Sequence, residues 1–114
     1  MIIGVAGPYS AETEPQRKSN LDAMNAAAAR LLDRGHIPVI GMNAALPVLE
    51  KADVSDRYKA IMDISLAVIN SCDAILIIGE SPGVQKEKEL ILSKGLPVYY
   101  NLDEIPKSNS SSEY

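Results

Sequence analysis

The sequence has no tryptophan and no phenylalanine, a single cysteine and a single histidine. Without the two bulkiest aromatics the core has to be assembled from Ile, Leu, Val, Met and Ala, with the tyrosines at its margins. One cysteine, Cys72, excludes an intramolecular disulfide and a thiolate metal cluster. With one histidine beside it, no convincing Ser-His-Asp or Cys-His pair can be drawn, and no metal site has enough ligands. Neither G-x-x-x-x-G-K-[ST] nor G-x-G-x-x-G occurs, so the phosphate loop and the dinucleotide fingerprint are both missing. There is no Lys/Arg cluster, and the formal net charge is −4, which argues against a nucleic-acid polymer as partner. No apolar run approaches the length of a membrane span, and Met1-Ile2-Ile3-Gly4-Val5-Ala6-Gly7 lacks the basic region of a leader. A cytoplasmic location away from membranes is the expectation.

A length of 114 residues suits one small domain, taken as residues 1–106. The polar, Ser-rich end, 107–114, is expected to be a disordered tail. Inside the domain, short apolar runs at Ile2 to Ala6, Ile37 to Ile40, Ala74 to Ile78 and Leu96 to Tyr100 alternate with segments of helical period. Ala74-Ile75-Leu76-Ile77-Ile78 has no polar alternation, the mark of a strand covered on both faces. Helices are expected at about residues 14–33, 55–71 and 83–95, with Gly35 and Gly95 closing the first and last. Leu21, Met24, Ala28, Leu31 and Leu32 form the apolar stripe of the first, where Ala26 to Ala29 allow close approach to a sheet. In the second, Tyr58, Ile61, Met62, Ser65, Val68 and Ile69 share a face. Ile64 and Leu66 lie off it, which hints at a second buried surface and a homo-oligomer. Residues 42–52 read as a loop with room for one short helix.

Strands alternating with helices predict right-handed βαβ units, hence a three-layer, doubly wound α/β fold of the Rossmann-like or flavodoxin-like kind. Pro38 lies in the second run and Pro97 near the start of the fourth, and proline is tolerated at sheet edges. The strand order 2-1-3-4 places those two runs outside and the unbroken ones inside. Chain direction then reverses between the first and third strands, opening a crevice at their carboxyl ends. The turns Gly7-Pro8-Tyr9-Ser10 and Gly79-Glu80-Ser81-Pro82-Gly83 border it.

Among the bordering residues, Ser81 can either hold an anion at the following helix N-terminus or simply cap that helix. Glu87 falls in phase with Val84, Leu90 and Ile91, so it points inward along an apolar stripe. The opposing reading tilts it outward to pair with Lys86 or Lys88. A carboxylate turned into a crevice is costly unless partnered, and such groups tend to be functional. Asp63 aligns with Asp56 and Asn70 at seven-residue spacing, which a solvated helix face also explains. His36 opens the second strand at the end opposite the crevice and reads as structural. Tyr9 hangs over the crevice, as packing ring or as ligand contact.

Ala6-Gly7-Pro8-Tyr9, Cys72-Asp73-Ala74 and Ser81-x-Gly83-x-x-x-Glu87 together resemble the nucleoside 2-deoxyribosyltransferase superfamily, over roughly residues 1–100. The last spacing is also similar to that of the 2'-deoxynucleoside 5'-monophosphate N-glycosidases. The resemblance implies that Glu87 attacks C1' of the sugar, that Asp63 assists the leaving base and that Tyr9 orients the glutamate. It also implies substrate contacts from Gly7, Pro8, Asn43, Ser81 and Gly83, with Ser81 and Gly83 at a 5'-phosphate, and no metal or organic cofactor. Family sites are often completed by a neighbouring subunit. This sequence departs in three ways. Lys88-Glu89-Leu90 follows the glutamate where the family has small residues, Asp63 stands further from the Asp73 turn, and a fifth strand is missing. The expected function is N-glycosidic bond cleavage or transfer on a nucleoside or nucleoside 5'-monophosphate. The alternative is a module that binds such a ligand in the same crevice without turnover.

Overall fold

In the computed structural model, which describes residues 1–107, strand β1 (Ile2–Ala6) leads into helix α1 (Glu14–Asp33). Strand β2 (Ile37–Val39) and helices α2 (Gly41–Leu49) and α3 (Arg57–Ile69) follow. Strand β3 (Ala74–Ile77), helix α4 (Pro82–Ser93), strand β4 (Val98–Tyr99) and a 3₁₀ turn over Leu102–Glu104 complete the chain. Of the tail expected at 107–114, all but Lys107 lies outside the described residues.

The sheet has the order β2-β1-β3-β4 and is parallel throughout, as the two prolines predicted. Pro38 sits opposite Ile3 on the β2 edge, and Pro97 directly precedes the β4 edge. Because side chains alternate along a strand, β1 and β3 each feed two cores. Ile3, Val5, Ala74 and Leu76 pack with Met24, Leu31 and Ile105 on the α1 side. Ala6, Ile75 and Ile77 pack with Ile69, Val84 and Ile91 on the side of α3 and α4. This two-sided burial is why β3 carries no polar residue.

Helix boundaries follow from their caps. Thr13 and Asp56 accept hydrogen bonds from the backbone N–H groups of Gln16 and Lys59, starting α1 and α3. The second helix expected at 55–71 therefore begins after Asp56. At the other ends, Gly35 (φ 87°) and Gly95 (φ 71°) adopt the left-handed conformation that glycine takes without a Cβ clash. His36 N–H then bonds Leu31 O, and Leu96 N–H bonds Ile91 O, which reverses the chain towards the next strand.

The one short helix for which residues 42–52 left room is α2, which forms around Pro47 with Ala45 and Leu49, four apart, buried. The expected stripe of α1 needs correction. On α1, Leu32 is 62% exposed, and Ala26 and Ala29 face solvent, since the stripe narrows to Met24, Ala28 and Leu31. Ile64 and Leu66 are half-buried, and α2 packs along α3. Among the described residues, no helix is long and apolar enough to cross a membrane.

Candidate functional site

Where β1 ends and the loop after β3 turns into α4, the molecule opens into a cleft of about 930 Å³. Helices in a right-handed parallel fold run back against the strands, so their N-terminal ends gather at this side of the sheet. Arg17 of α1, Arg57 and Tyr58 of α3, and Ser81 with Pro82 at the head of α4 all line the cleft. Val5 and Ala6 form part of its floor.

Glu87 lies one turn into α4 and is only 8% exposed, as its helical phase predicted. The two lysines beside it do not reach it. Lys86 Nζ stands 5.0 Å from the centre of the Tyr58 ring, and Lys88 Nζ 5.4 Å from that of Tyr100. The partner of Glu87 is instead Ser65 of α3, whose Oγ donates to Oε2 at 3.1 Å. Burial pushes the Glu87 carboxyl from 4.5 up to about 7, against the opposing pull of that hydrogen bond. Near neutrality the group is thus divided between an acid and a base.

Ser81 caps the head of α4. Ser81 Oγ accepts from Val84 N–H at 3.1 Å, and Gln85 N–H bonds Ser81 O at 3.0 Å. Pro82 has no N–H, so the Gly83 N–H is the first-turn donor without a protein partner among the described residues. Together with the free hydroxyl proton of Ser81 and the positive end of the helix, it suits a phosphate or carboxylate. Arg57 is held only by a long contact, 3.5 Å from Nη1 to Leu49 O. Arg17 is more firmly engaged, with Glu14 at 2.6 Å and Ala11 O at 2.7 Å.

Of the residues singled out in the sequence, Gly7, Pro8, Tyr9, Ser81, Gly83 and Glu87 share this one cleft. Tyr9 makes no hydrogen bond to Glu87 among the described residues; the contact expected of it is made by Ser65. Asn43 lies outside the cleft. Its amide donates to Asn25 Oδ1 at 2.8 Å, and it lines a smaller hollow of about 580 Å³ between α1 and α2. Asp63 also lies outside, on the solvated face of α3, where Lys59 Nζ binds its Oδ2 at 2.8 Å. Helix phase turns Asp63 outward, and Asn43 stands in a hollow that shares Tyr9, Glu14, Met42, Leu46 and Glu50 with the cleft.

Sequence reasoning left out Ser65, Arg17 and Arg57. A signal for Ser65 was present: a serine in the middle of a buried apolar stripe must find a hydrogen-bond partner. The arginines gave none, since their place at the cleft depends on how separate helices meet. His36 is structural, as expected: its Nε2 lies 2.6 Å from Pro106 O and its Nδ1 3.1 Å from the Met1 nitrogen. Cys72 is buried, and burial pushes its thiol up, away from reactivity. Among the described residues, no group of three or more His, Cys, Asp or Glu side chains could hold a metal ion.

A family model described as "Domain of unknown function (DUF4406)" matches residues 1–100. No curated protein matches the chain. The match spans both edges of the sheet and every residue of the cleft named above, and the chain belongs to this family.

Proposed function

With that membership as premise, we propose that the protein cleaves or transfers the N-glycosidic bond of a nucleoside or nucleoside 5'-monophosphate, with Glu87 as nucleophile. One observation carries the reading: a buried carboxylate without a cation partner among the described residues lines a large cleft, one helical turn beyond the Gly83 N–H and the Ser81 hydroxyl. Gly83 and Glu87 are separated by roughly 6 Å of helix rise, so a phosphate at the helix head leaves the sugar near the carboxylate. The similarity of Ser81-x-Gly83-x-x-x-Glu87 to the N-glycosidase spacing supports the same assignment.

In this mechanism a Glu87 oxygen attacks C1', the C1'–N bond breaks and its electron pair leaves with the base. The base takes up a proton from solvent, because Asp63 faces away. Water, or a second base, then displaces the carboxylate and releases the sugar, as in double-displacement glycosidases. Attack requires the ionised carboxyl, so the rate rises with pH to a plateau above about 7. The net charge of −4 fits a free small molecule in the cytoplasm rather than a nucleic-acid polymer.

A second reading, binding without turnover, is favoured by the position of Asp63, the residue expected to assist the leaving base, which lies on the solvated face of α3. Incubation with a panel of nucleosides and 5'-monophosphates, followed by chromatography for free base, separates the two. Turnover is expected, with Glu87→Ala reducing it on the order of a thousandfold or more. Ligand-induced thermal stabilisation with no free base leaves only the binding reading. Base release by Glu87→Ala at the wild-type rate removes the nucleophile.

A further inference from the structure

Ser65 is 3% exposed in the middle of α3, and its bond to Oε2 is the hydrogen bond Glu87 makes among the described residues. The hydroxyl is walled in from behind. Gly41, the first residue of α2, packs on it so closely that a Cβ at position 41 would lie 2.8 Å from Ser65 Cα and overlap Oγ. Contacts of that length are essentially never made by real side chains. A glycine backbone thus closes one side of Ser65, and Glu87 takes the other.

We infer that Ser65, backed by Gly41, is a positioning residue: it anchors Glu87 Oε2 and leaves Oε1 as the oxygen directed at the substrate. The inference rests on the nucleophile reading for its chemical meaning. An O–H donor favours the charged form of a carboxylate, so the same bond keeps a buried group available as a base. The opposing influences on Glu87, burial upward and Ser65 downward, agree with this geometry. The other titratable or charged groups that line the cleft with it are Tyr9 from the first loop, Glu14 and Arg17 from α1, Glu50 after α2, and Arg57 and Tyr58 from α3. Cys72 is near enough to feel the Glu87 charge. None of these shares a hydrogen bond with Glu87 among the described residues, which leaves Ser65 as the one direct partner.

The test uses Ser65→Ala and Gly41→Ala, with two readouts. The first is the carboxyl carbon-13 titration of Glu87 in the ligand-free protein, which needs no turnover. Ser65→Ala is expected to titrate about one pH unit higher than the wild type. Gly41→Ala, which displaces the hydroxyl, shifts in the same direction. The second is base release against pH. At pH 6 Ser65→Ala falls about tenfold below the wild type, and the gap closes well above neutrality. A titration left in place, with only a lower melting temperature, makes Ser65 a packing residue and overturns the inference. If the wild type releases no base from any substrate, the nucleophile reading fails, and the titration still decides what Ser65 does to Glu87.

Discussion

The two ends of the sheet differ in how their polar groups are satisfied. At the amino ends of the strands, Ile2 N–H bonds Asp73 Oδ2 at 2.8 Å, and His36 is held at both ring nitrogens. The reversals at Gly35 and Gly95 close the helices there. At the carboxyl ends, among the described residues, Gly83 N–H has no protein partner, Arg57 makes one long contact and Glu87 has a single donor. Among the described residues the first end satisfies its polar groups within the chain, apart from the buried Arg34 Nε, whereas the second leaves more of them open beside a cleft. Glu87 and Asp63 repeat the contrast in miniature, since one carboxylate is buried in the cleft and the other is paired in water.

Glu87→Gln gives the largest effect. A carboxyl raised to about 7 is neutral in the folded protein over a range where it is already ionised in the unfolded chain. The folded state therefore binds more protons there, and stability declines as pH rises from 4.5 to about 7. The lost stability is about 3 kcal/mol above that window. Glutamine has no charge to bury and can still accept from Ser65. Denaturant unfolding should show Glu87→Gln more stable than the wild type at pH 8 and equal to it at pH 4, with base release abolished. Equal stability at both values would mean that the carboxyl is not desolvated.

His36→Ala probes the closed end. Loss of a buried ring and its bonds should cost about 2 kcal/mol while base release, measured below the melting range, stays unchanged. A changed substrate preference would show that the two ends are not independent. The smallest effect belongs to Asp63→Asn. An exposed pair on a solvated helix face contributes little, so melting temperature and turnover should both match the wild type. A large drop in turnover would return Asp63 to the chemistry and imply a second copy or a moved helix.

The fold was legible where the residues left one option. The unbroken Ala74 to Ile78 run could only be a doubly covered strand, and Pro38 and Pro97 could only sit at edges. Helix α2 was less legible, because Gly41, Asn43 and Pro47 all argue for a loop, and the burial of Ala45 and Leu49 that outweighs them is tertiary. In the site, helical phase alone turned Glu87 inward. The same logic marked Asp63 as solvated, whereas the family resemblance had drawn it towards the substrate. Ser65 was visible as a member of a buried face, but its partner lies on another helix, and no local spacing links them.

The gathering of helix heads around the cleft has an electrostatic consequence. The molecule as a whole is negative, and the two arginines of this hollow, Arg17 and Arg57, are matched by Glu14, Glu50 and Glu87, so what favours an anion there is the amino end of α4. Attraction of this kind fades within about a Debye length in physiological salt. An anion small enough to enter would experience that local field, whereas a long polyanion would meet mainly the repulsion of the remaining surface. Charge alone would thus sort anions by size, before any specific contact is made.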